Sequence, residues 1–418
     1  MRYINTESIK RMRQLVAVIL LLSIPWTCTL AQLYKVMEYG VNSGLPQPYV
    51  YSLEQDGSGY LWIGTGAGLA RYDGNTFQVF NSSDSLCDDY ITCSHISSSG
   101  SWFGHGNGGI TRYNGKTFVK IVTGDQGTGA ITGIKSSGKT TWASTQSGGI
   151  WRIDPGLEPI LYQDPVNSVS IFSFELLSST ECMVGSIDGV YIFSMDQESS
   201  ALRLISSLEG IPDTKIQDLV LSRDGNTLYI LTQDEGIYIY NTREYTMKTV
   251  PLGYDMEAGI EGPQQVYEDR DQNLWIPTYG NGLYKLIRDD SGEFTNWVNY
   301  TEENGLPGND VKLVIQDREE NIWLGMYGTG LARLVDEAYT YYSFDDLESG
   351  NNIYSIFNTD QYRWFGTENG LIRVDHHTGE RFFLGGRNYG LPEDRITAIG
   401  GSRESDLWVG TEKNGIYR

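Results

Sequence analysis

Trp62, Trp102 and Trp142 stand forty residues apart, and the same place in six later copies is held by Met183, Tyr229, Trp275, Trp323, Trp364 and Trp408. Behind each comes a glycine followed at once by an aliphatic residue, from Gly68-Leu69 and Gly109-Ile110 through to Gly370-Leu371 and Gly415-Ile416. A period of this length kept through nine copies marks a repeat architecture, in which one unit cannot bury its apolar faces without its neighbours.

Within one copy the residues read as four short strands. Val50 to Leu53 is the first and ends at Asp56-Gly57-Ser58-Gly59, and Leu61 to Thr65 is the second. Gly66-Ala67-Gly68 turns the chain into Leu69 to Tyr72, and Asp73-Gly74-Asn75 turns it again into Thr76 to Phe80. Each connection has the Asp-Gly or Gly-rich chemistry that tight hairpins need. Four antiparallel strands in about forty residues form one blade of a β-propeller, an all-β fold in which the blades stack radially. Stacking covers both faces of each sheet, so Tyr60-Leu61-Trp62-Ile63 can be apolar on both sides and the tryptophan row is expected to be core.

The run Leu61-Trp62-Ile63-Gly64-Thr65, then Gly68-Leu69-Ala70-Arg71-Tyr72-Asp73-Gly74 and Phe77, resembles the two-component regulator propeller repeat. The linkers Gly44-Leu45-Pro46, Gly305-Leu306-Pro307 and Gly390-Leu391-Pro392 resemble that family too. The resemblance covers residues 32–418. It implies the periplasmic part of a bacterial sensor histidine kinase, often a hybrid one, with two seven-bladed propellers ahead of a sandwich domain and a membrane span. Copies three to five depart from the pattern, with Ala143-Ser144 for Ile-Gly, Met183 for Trp and Leu231 for Gly. Nine copies exceed the usual four to eight blades. Two arrangements follow: a first propeller over residues 32–345 and the start of a second over 346–418, which is the expected one, or a single larger ring. Leu33 to Tyr39 reads as a fourth strand that completes a ring from its far end.

Residues 1–31 have the layout of a secretory signal peptide: basic Arg2, Lys10, Arg11 and Arg13, an apolar run Leu15 to Ile24, and the small-residue pattern Thr29-Leu30-Ala31. Cys28 lacks the small preceding residues of a lipidation site. The expected location is periplasmic or extracellular, with no membrane span after the signal peptide. Removing that segment takes out four basic residues and Glu7, which moves the formal net charge from −22 to −25. Such a charge disfavours nucleic acid and anionic membrane surfaces. Only Cys87, Cys93 and Cys182 remain, too few for a disulfide framework.

Gly133-Ile134-Lys135-Ser136-Ser137-Gly138-Lys139-Thr140 spells a phosphate-binding loop, but Thr141-Trp142-Ala143-Ser144-Thr145 after it is a strand where that chemistry needs a helix. It reads as a turn. Asp269, Asp271 and Asn273 hint at a calcium loop, yet Leu274 and Gly280 occupy the places of its glycine and bidentate glutamate, so this too reads as a turn. His95, His105, His376 and His377 have no zinc-like neighbours, and no metal or other cofactor is expected. Arg71, Arg112, Arg152, Lys285, Arg333, Arg373 and Arg418 recur two places after the Gly-aliphatic pair, a structural row expected to pair with turn carboxylates.

Function is expected where blades differ, in the loops that gather at one end of the channel. The candidate ligand-binding residues are His105, Asn107, Tyr279, Asn281 and Tyr327, since aromatic faces and amides suit a sugar. No catalytic residues are assigned. The leading function is a ligand-sensing segment of a two-component sensor, taking a carbohydrate or other polymer fragment, with a homodimer formed through downstream domains. No kinase domain can be read in the sequence. The alternatives are a free-standing envelope scaffold and, less well supported, a propeller lyase or glycosidase: no blade-specific acidic pair stands out apart from the loop Leu252 to Gln265, with Asp255, Glu257 and Glu261. Net charge by itself favours a neutral glycan over an acidic one.

Overall fold

The structure is a computed structural model and describes residues 34–124, 127–163, 169–196, 200–250, 262–289, 291–335, 352–359, 361–375, 381–385, 390–401 and 406–418. The proposed signal peptide, His376-His377 and most of the loop 252–265 lie outside the described residues. The chain divides into two compact units, Tyr34–Tyr339 and one that holds Thr340–Arg418.

In the first blade the strands are Val50–Gln55, Leu61–Thr65, Gly68–Tyr72 and Phe77–Phe80, in that order across one antiparallel sheet. Five more sets of four antiparallel strands follow, over residues 91–122, 131–163, 173–207, 216–249 and 267–300. The seventh sheet takes three strands from 311–334 and its fourth from the other end of the unit. Val36–Tyr39 pairs antiparallel with Leu331–Leu334, Val36 opposite Leu334 and Tyr39 opposite Leu331. The ring shuts there: Tyr49 bridges Tyr327, and the Arg318 backbone N–H donates to Gln55 Oε1 at 2.8 Å.

Each interface between blades is built on one member of the row that begins at Trp62, aromatic in every case but Met183. Trp62 packs with Ile91 and Phe103 of the second blade, Trp102 with Ile131 and Ala143 of the third, and Trp142 with Phe174 and Val184 of the fourth. Met183, Tyr229 and Trp275 do the same for the next three, and Trp323 meets Leu53 and Ile63 of the first. Each such burial stabilises by about 1.5–3 kcal/mol, repeated around the ring. The glycine of Leu-Trp-Ile-Gly-Thr follows from the same contact. A Cβ on Gly325 would stand 2.8 Å from Val50 Cγ1, and one on Gly104 would stand 2.6 Å from Ile131 Cγ2, so only hydrogen leaves room for the next blade.

The basic row is structural, but its main partner is not the turn carboxylate. Arg71, Arg112, Arg152, Lys285, Arg333, Arg373 and Arg418 each lie over the indole of their own blade, 4.7 to 6.0 Å from the ring centroid. The register dictates it: Trp62 is directly opposite Arg71, and Trp323 opposite Arg333. The quadrupole of the indole face attracts the cation and the long side chain covers the ring. Arg152 and Arg418 also reach carboxylates, Asp154 and Asp406, both at 2.8 Å.

The second unit repeats the plan. A four-stranded sheet contains Ile353–Asn358, Tyr362–Thr367, Leu371–Asp375 and Arg381–Leu384, and a three-stranded one contains Ile396–Gly401, Leu407–Thr411 and Ile416–Tyr417. Trp364 packs with Ile396 and Val409 of the following sheet. Among the described residues no helix is long and apolar enough to cross a membrane.

Candidate functional site

At the start of the innermost strand the ladder slips by one residue, between Val50 and Ser52, Ile91 and Cys93, Ile131 and Gly133, Ile216 and Asp218, and Val311 and Leu313. A bulge frees one side chain from the blade faces and re-aims it. In the first blade the freed residue is Tyr51, and in the seventh it is Lys312.

Tyr51 stands in a cluster of five tyrosines. Its ring centroid is 4.9 Å from Tyr90 and 6.1 Å from Tyr327, and Tyr327 is 4.7 Å from Tyr49 and 5.3 Å from Tyr279. The cluster draws on the first, sixth and seventh blades and on the linker into the second. Tyr90 and Tyr327 are each 40 % exposed. Burial pushes the Tyr51 phenol up to about 12, and its phenolic neighbours Tyr90 and Tyr327 add to that. Neutral hydroxyls and open ring faces are therefore what this end of the channel presents at physiological pH.

Of the expected ligand residues, Tyr279 and Tyr327 come together in this cluster. His105 is fully buried, and its Nε2 shares a 2.7 Å hydrogen bond with Thr111 Oγ1. It occupies the position at which Thr65, Thr145 and Thr278 close the hairpins of their own blades by donating to the carbonyls of Gly68, Gly149 and Gly282. Burial pushes its imidazole down to about 4. Asn107 is occupied by its own loop: Oδ1 accepts from Gly109 N at 2.9 Å, and Nδ2 donates to the Cys87 carbonyl at 3.3 Å. Asn281, half-buried, also has a partner inside the fold. Tyr49, Tyr51 and Tyr90 escaped sequence reasoning because a tyrosine beside the first strand looks like core. The signal available was positional, since the equivalents of Tyr51 are Thr92, Thr132 and Gln217, none of them large and apolar.

Farther along the inner strands lies a second feature. Glu54, His95, Lys135 and Glu175 occupy one position in four successive blades, opposite Trp62, Trp102, Trp142 and Met183. Lys135 Nζ is 2.6 Å from Glu175 Oε2. Burial pushes the Glu54 carboxyl up to about 7 against the opposing pull of Lys135, and it pushes His95 down to about 4 with Lys135 adding to the effect. Asp218, raised by burial, also feels Lys135. Groups two blades apart interact in this way only across the central channel. Glu54 and Glu175, with Asp218 two residues before the equivalent Val220, thus form the blade-specific acidic set that the sequence did not reveal; the shared position is apolar in Val220 and Ile315, which disguises it.

The two motif look-alikes are turns. The phosphate-loop run lies on the antiparallel strands Ile131–Ser137 and Thr140–Thr145, with Lys139 exposed between them. The Asp269 carboxylate is taken by Asn273 N, Asn273 Nδ2 and Trp275 Nε1, at 2.8, 3.0 and 2.9 Å. Among the described residues no group of three or more His, Cys, Asp or Glu could hold a metal ion. Cys87, Cys93 and Cys182 are free thiols.

Residues 44–67 match the model of the two component regulator propeller family. No curated protein sequence matches the chain. Among solved structures, it is similar to the extracellular domain of BT3049, assigned as a hybrid two-component system of B. thetaiotaomicron, with 21 % identity, 92 % of this chain and 53 % of that one covered, and a TM-score of 0.68. The extracellular domain of BT4673 from the same organism, given the same assignment, aligns at 20 % identity over 91 % and 51 %, with a TM-score of 0.54. Virginiamycin B lyase from Staphylococcus aureus aligns at 15 % over 72 % and 98 %, with a TM-score of 0.55. The chain spans about half the length of the two extracellular domains. At these identities the likeness is one of fold. Residues 44–67 thus match one two-component regulator propeller repeat, on an all-β framework of four-stranded blades whose fold is similar to that of extracellular domains of two-component systems.

Proposed function

We propose that this chain is a ligand-sensing segment of a two-component sensor, working outside the cytoplasm and recognising a carbohydrate or polymer fragment at the tyrosine-lined mouth of the first propeller. The observation that carries the reading is the cluster of Tyr49, Tyr51, Tyr90, Tyr279 and Tyr327, drawn from four places in the chain to one end of the channel. Phenol rings give flat apolar faces to a pyranose, and their neutral hydroxyls serve as donors and acceptors at its edge. The family match at residues 44–67 supports the sensing role. Binding here is read as a recognition event: Glu175 is held by Lys135 and Asp218 by three donors, which leaves Glu54 alone where glycoside hydrolysis needs a pair of carboxyl groups. A sensor needs only that its ligand favour one of two arrangements of the assembly over the other.

Calorimetry of the chain without residues 1–31 against a panel of oligosaccharides tests this. Micromolar binding, about −8 kcal/mol, is expected for one member. Tyr279→Ala and Tyr327→Ala should each weaken it at least tenfold. Binding that survives both unchanged rejects this mouth as the site.

A further inference from the structure

The fifth blade lacks both halves of the device that seals most other interfaces. Tyr229 stands where most blades have tryptophan, and Ile239, directly opposite it, stands where they have an arginine or lysine over the ring. The fourth blade makes the same two departures with Met183 and Ile192, but there Tyr238 and Tyr240 of the next blade fill the space. The sixth blade offers only Leu286 in the place of Tyr240. A groove of about 480 Å³ is left between the fifth and sixth blades, within the size range of small-molecule sites. Tyr229, Ile239 and Phe294 are its apolar walls. It lies at the end of the strands away from the tyrosine mouth, beside the start of Thr227–Thr232 and the end of Leu283–Arg288.

The corresponding groove between the sixth and seventh blades has a different character. There Lys285 lies 4.7 Å over Trp275, and Asp269, Asp271, Glu319 and Glu320 line the space, so cation and carboxylates stand together. At the fifth–sixth groove the open cation is Arg288. The ladder slips between Ile287 and Arg288, and the guanidinium is left among neutral acceptors: Nε donates to the Gly292 carbonyl at 3.2 Å and an Nη to Gln272 Oε1. Among the described residues no carboxylate is within ion-pair distance of it. Lys248, the other cation of the groove, is already taken by Glu293 at 2.6 Å, and Glu244 at the outer edge is exposed. In a chain with 53 acidic and 31 basic residues, an arginine held on neutral acceptors beside an apolar groove is not explained by charge pairing.

We infer that this groove is a second binding site, which takes a small aryl carboxylate: the ring lies between Ile239 and Phe294 against Tyr229, and the carboxylate meets Arg288. A planar guanidinium matches a carboxylate with two parallel N–H···O bonds, and the aryl body gains by leaving water for the apolar walls. The site goes beyond the reading of the tyrosine mouth and does not depend on it.

Ligand-observed NMR titration of the chain without residues 1–31 tests this with three probes: phenylacetate, phenylethanol and phenethylammonium. Phenylacetate should bind at least fivefold more tightly than the alcohol, and the ammonium should bind most weakly. Arg288→Gln should bring phenylacetate down to the affinity of the alcohol and leave the alcohol within twofold. Ile239→Trp, which fills the groove without adding charge, should weaken acid and alcohol alike at least tenfold, and Ile239→Phe should do the same to a smaller degree. Circular dichroism checks that the variants fold. Tyr279→Ala and Tyr327→Ala should leave all three affinities unchanged, which separates this site from the mouth. Four results overturn the inference and leave the mouth standing: equal affinity for acid and alcohol, acid binding indifferent to Arg288→Gln or to both groove-filling variants, no binding of any probe at millimolar concentration, or binding lost in the tyrosine variants.

Discussion

The indole Nε1 of Trp323 donates a 2.6 Å hydrogen bond to Oδ2 of Asp317, six residues earlier across the first hairpin of its blade. Trp62 and Asp56 repeat the contact at 2.8 Å, and Trp275 and Asp269 at 2.9 Å. The turn aspartate also accepts from Asn321 N and Nδ2 at 2.8 and 2.9 Å, so one carboxylate closes the turn and satisfies the polar atom of a buried ring. Turn and core are one device. Trp323→Ala is expected to destabilise the first unit by about 3–5 kcal/mol. Asp317→Ala should cost about 1.5–3 kcal/mol, because the indole N–H and the turn amide both lose a charged acceptor. Urea unfolding of the two variants and their combination checks this. Additive losses would show that the contact does not couple them.

Ring closure makes a prediction at Gly325. An alanine Cβ there would press on Val50 across the junction of the seventh and first blades. Gly325→Ala should lower stability by about 1–3 kcal/mol, and Val50→Ala in the same chain should recover part of the loss. A Gly325→Ala protein that melts with the parent would mean the junction is open.

Lys139→Ala should change stability by no more than about 0.5 kcal/mol, because the residue is exposed in a two-strand turn. Neither protein should bind ATP in a filter or calorimetric assay. ATP binding by the parent that is lost in the variant would rule out the turn reading.

Glu54 gives a pH dependence of definite sign. Its folded value is raised from 4.5 to about 7, so ionisation is harder in the folded state. The resulting penalty is absent below about pH 4.5, grows as pH rises and is complete above 7. Glu54→Gln should therefore match the parent near pH 4 and exceed it by about 1–3 kcal/mol at pH 8. Melting both proteins across that range tests it, and a difference that does not vary with pH would place Glu54 in free solvent.

The strands, the turns and the tryptophan core from Trp62 to Trp364 were legible in the chain itself, because each is a local matter: apolar spacing, Asp-Gly turns and a fixed offset within some forty residues; Trp408, expected in the same row, is 46 % exposed in the last sheet. Leu61–Thr65 begins and ends where its residues say, and Lys139 sits in the turn its flanking strands demand. Tertiary structure decided the rest. Val36–Tyr39 could have completed more than one blade, and its pairing with Leu331–Leu334 depends on contacts nearly three hundred residues apart. The basic row was visible as structural, but its place on the indole faces came from register across strands. The mouth and the channel were decided last. Tyr51 and Lys312 leave their blade faces only because the ladder slips beside them. Glu54, Lys135 and Asp218, each an unremarkable strand residue, interact only because a closed ring turns its inner strands toward one axis. A repeat encodes its blade in every copy, whereas the chemistry at the axis depends on the differences between copies, and only closure brings those differences together.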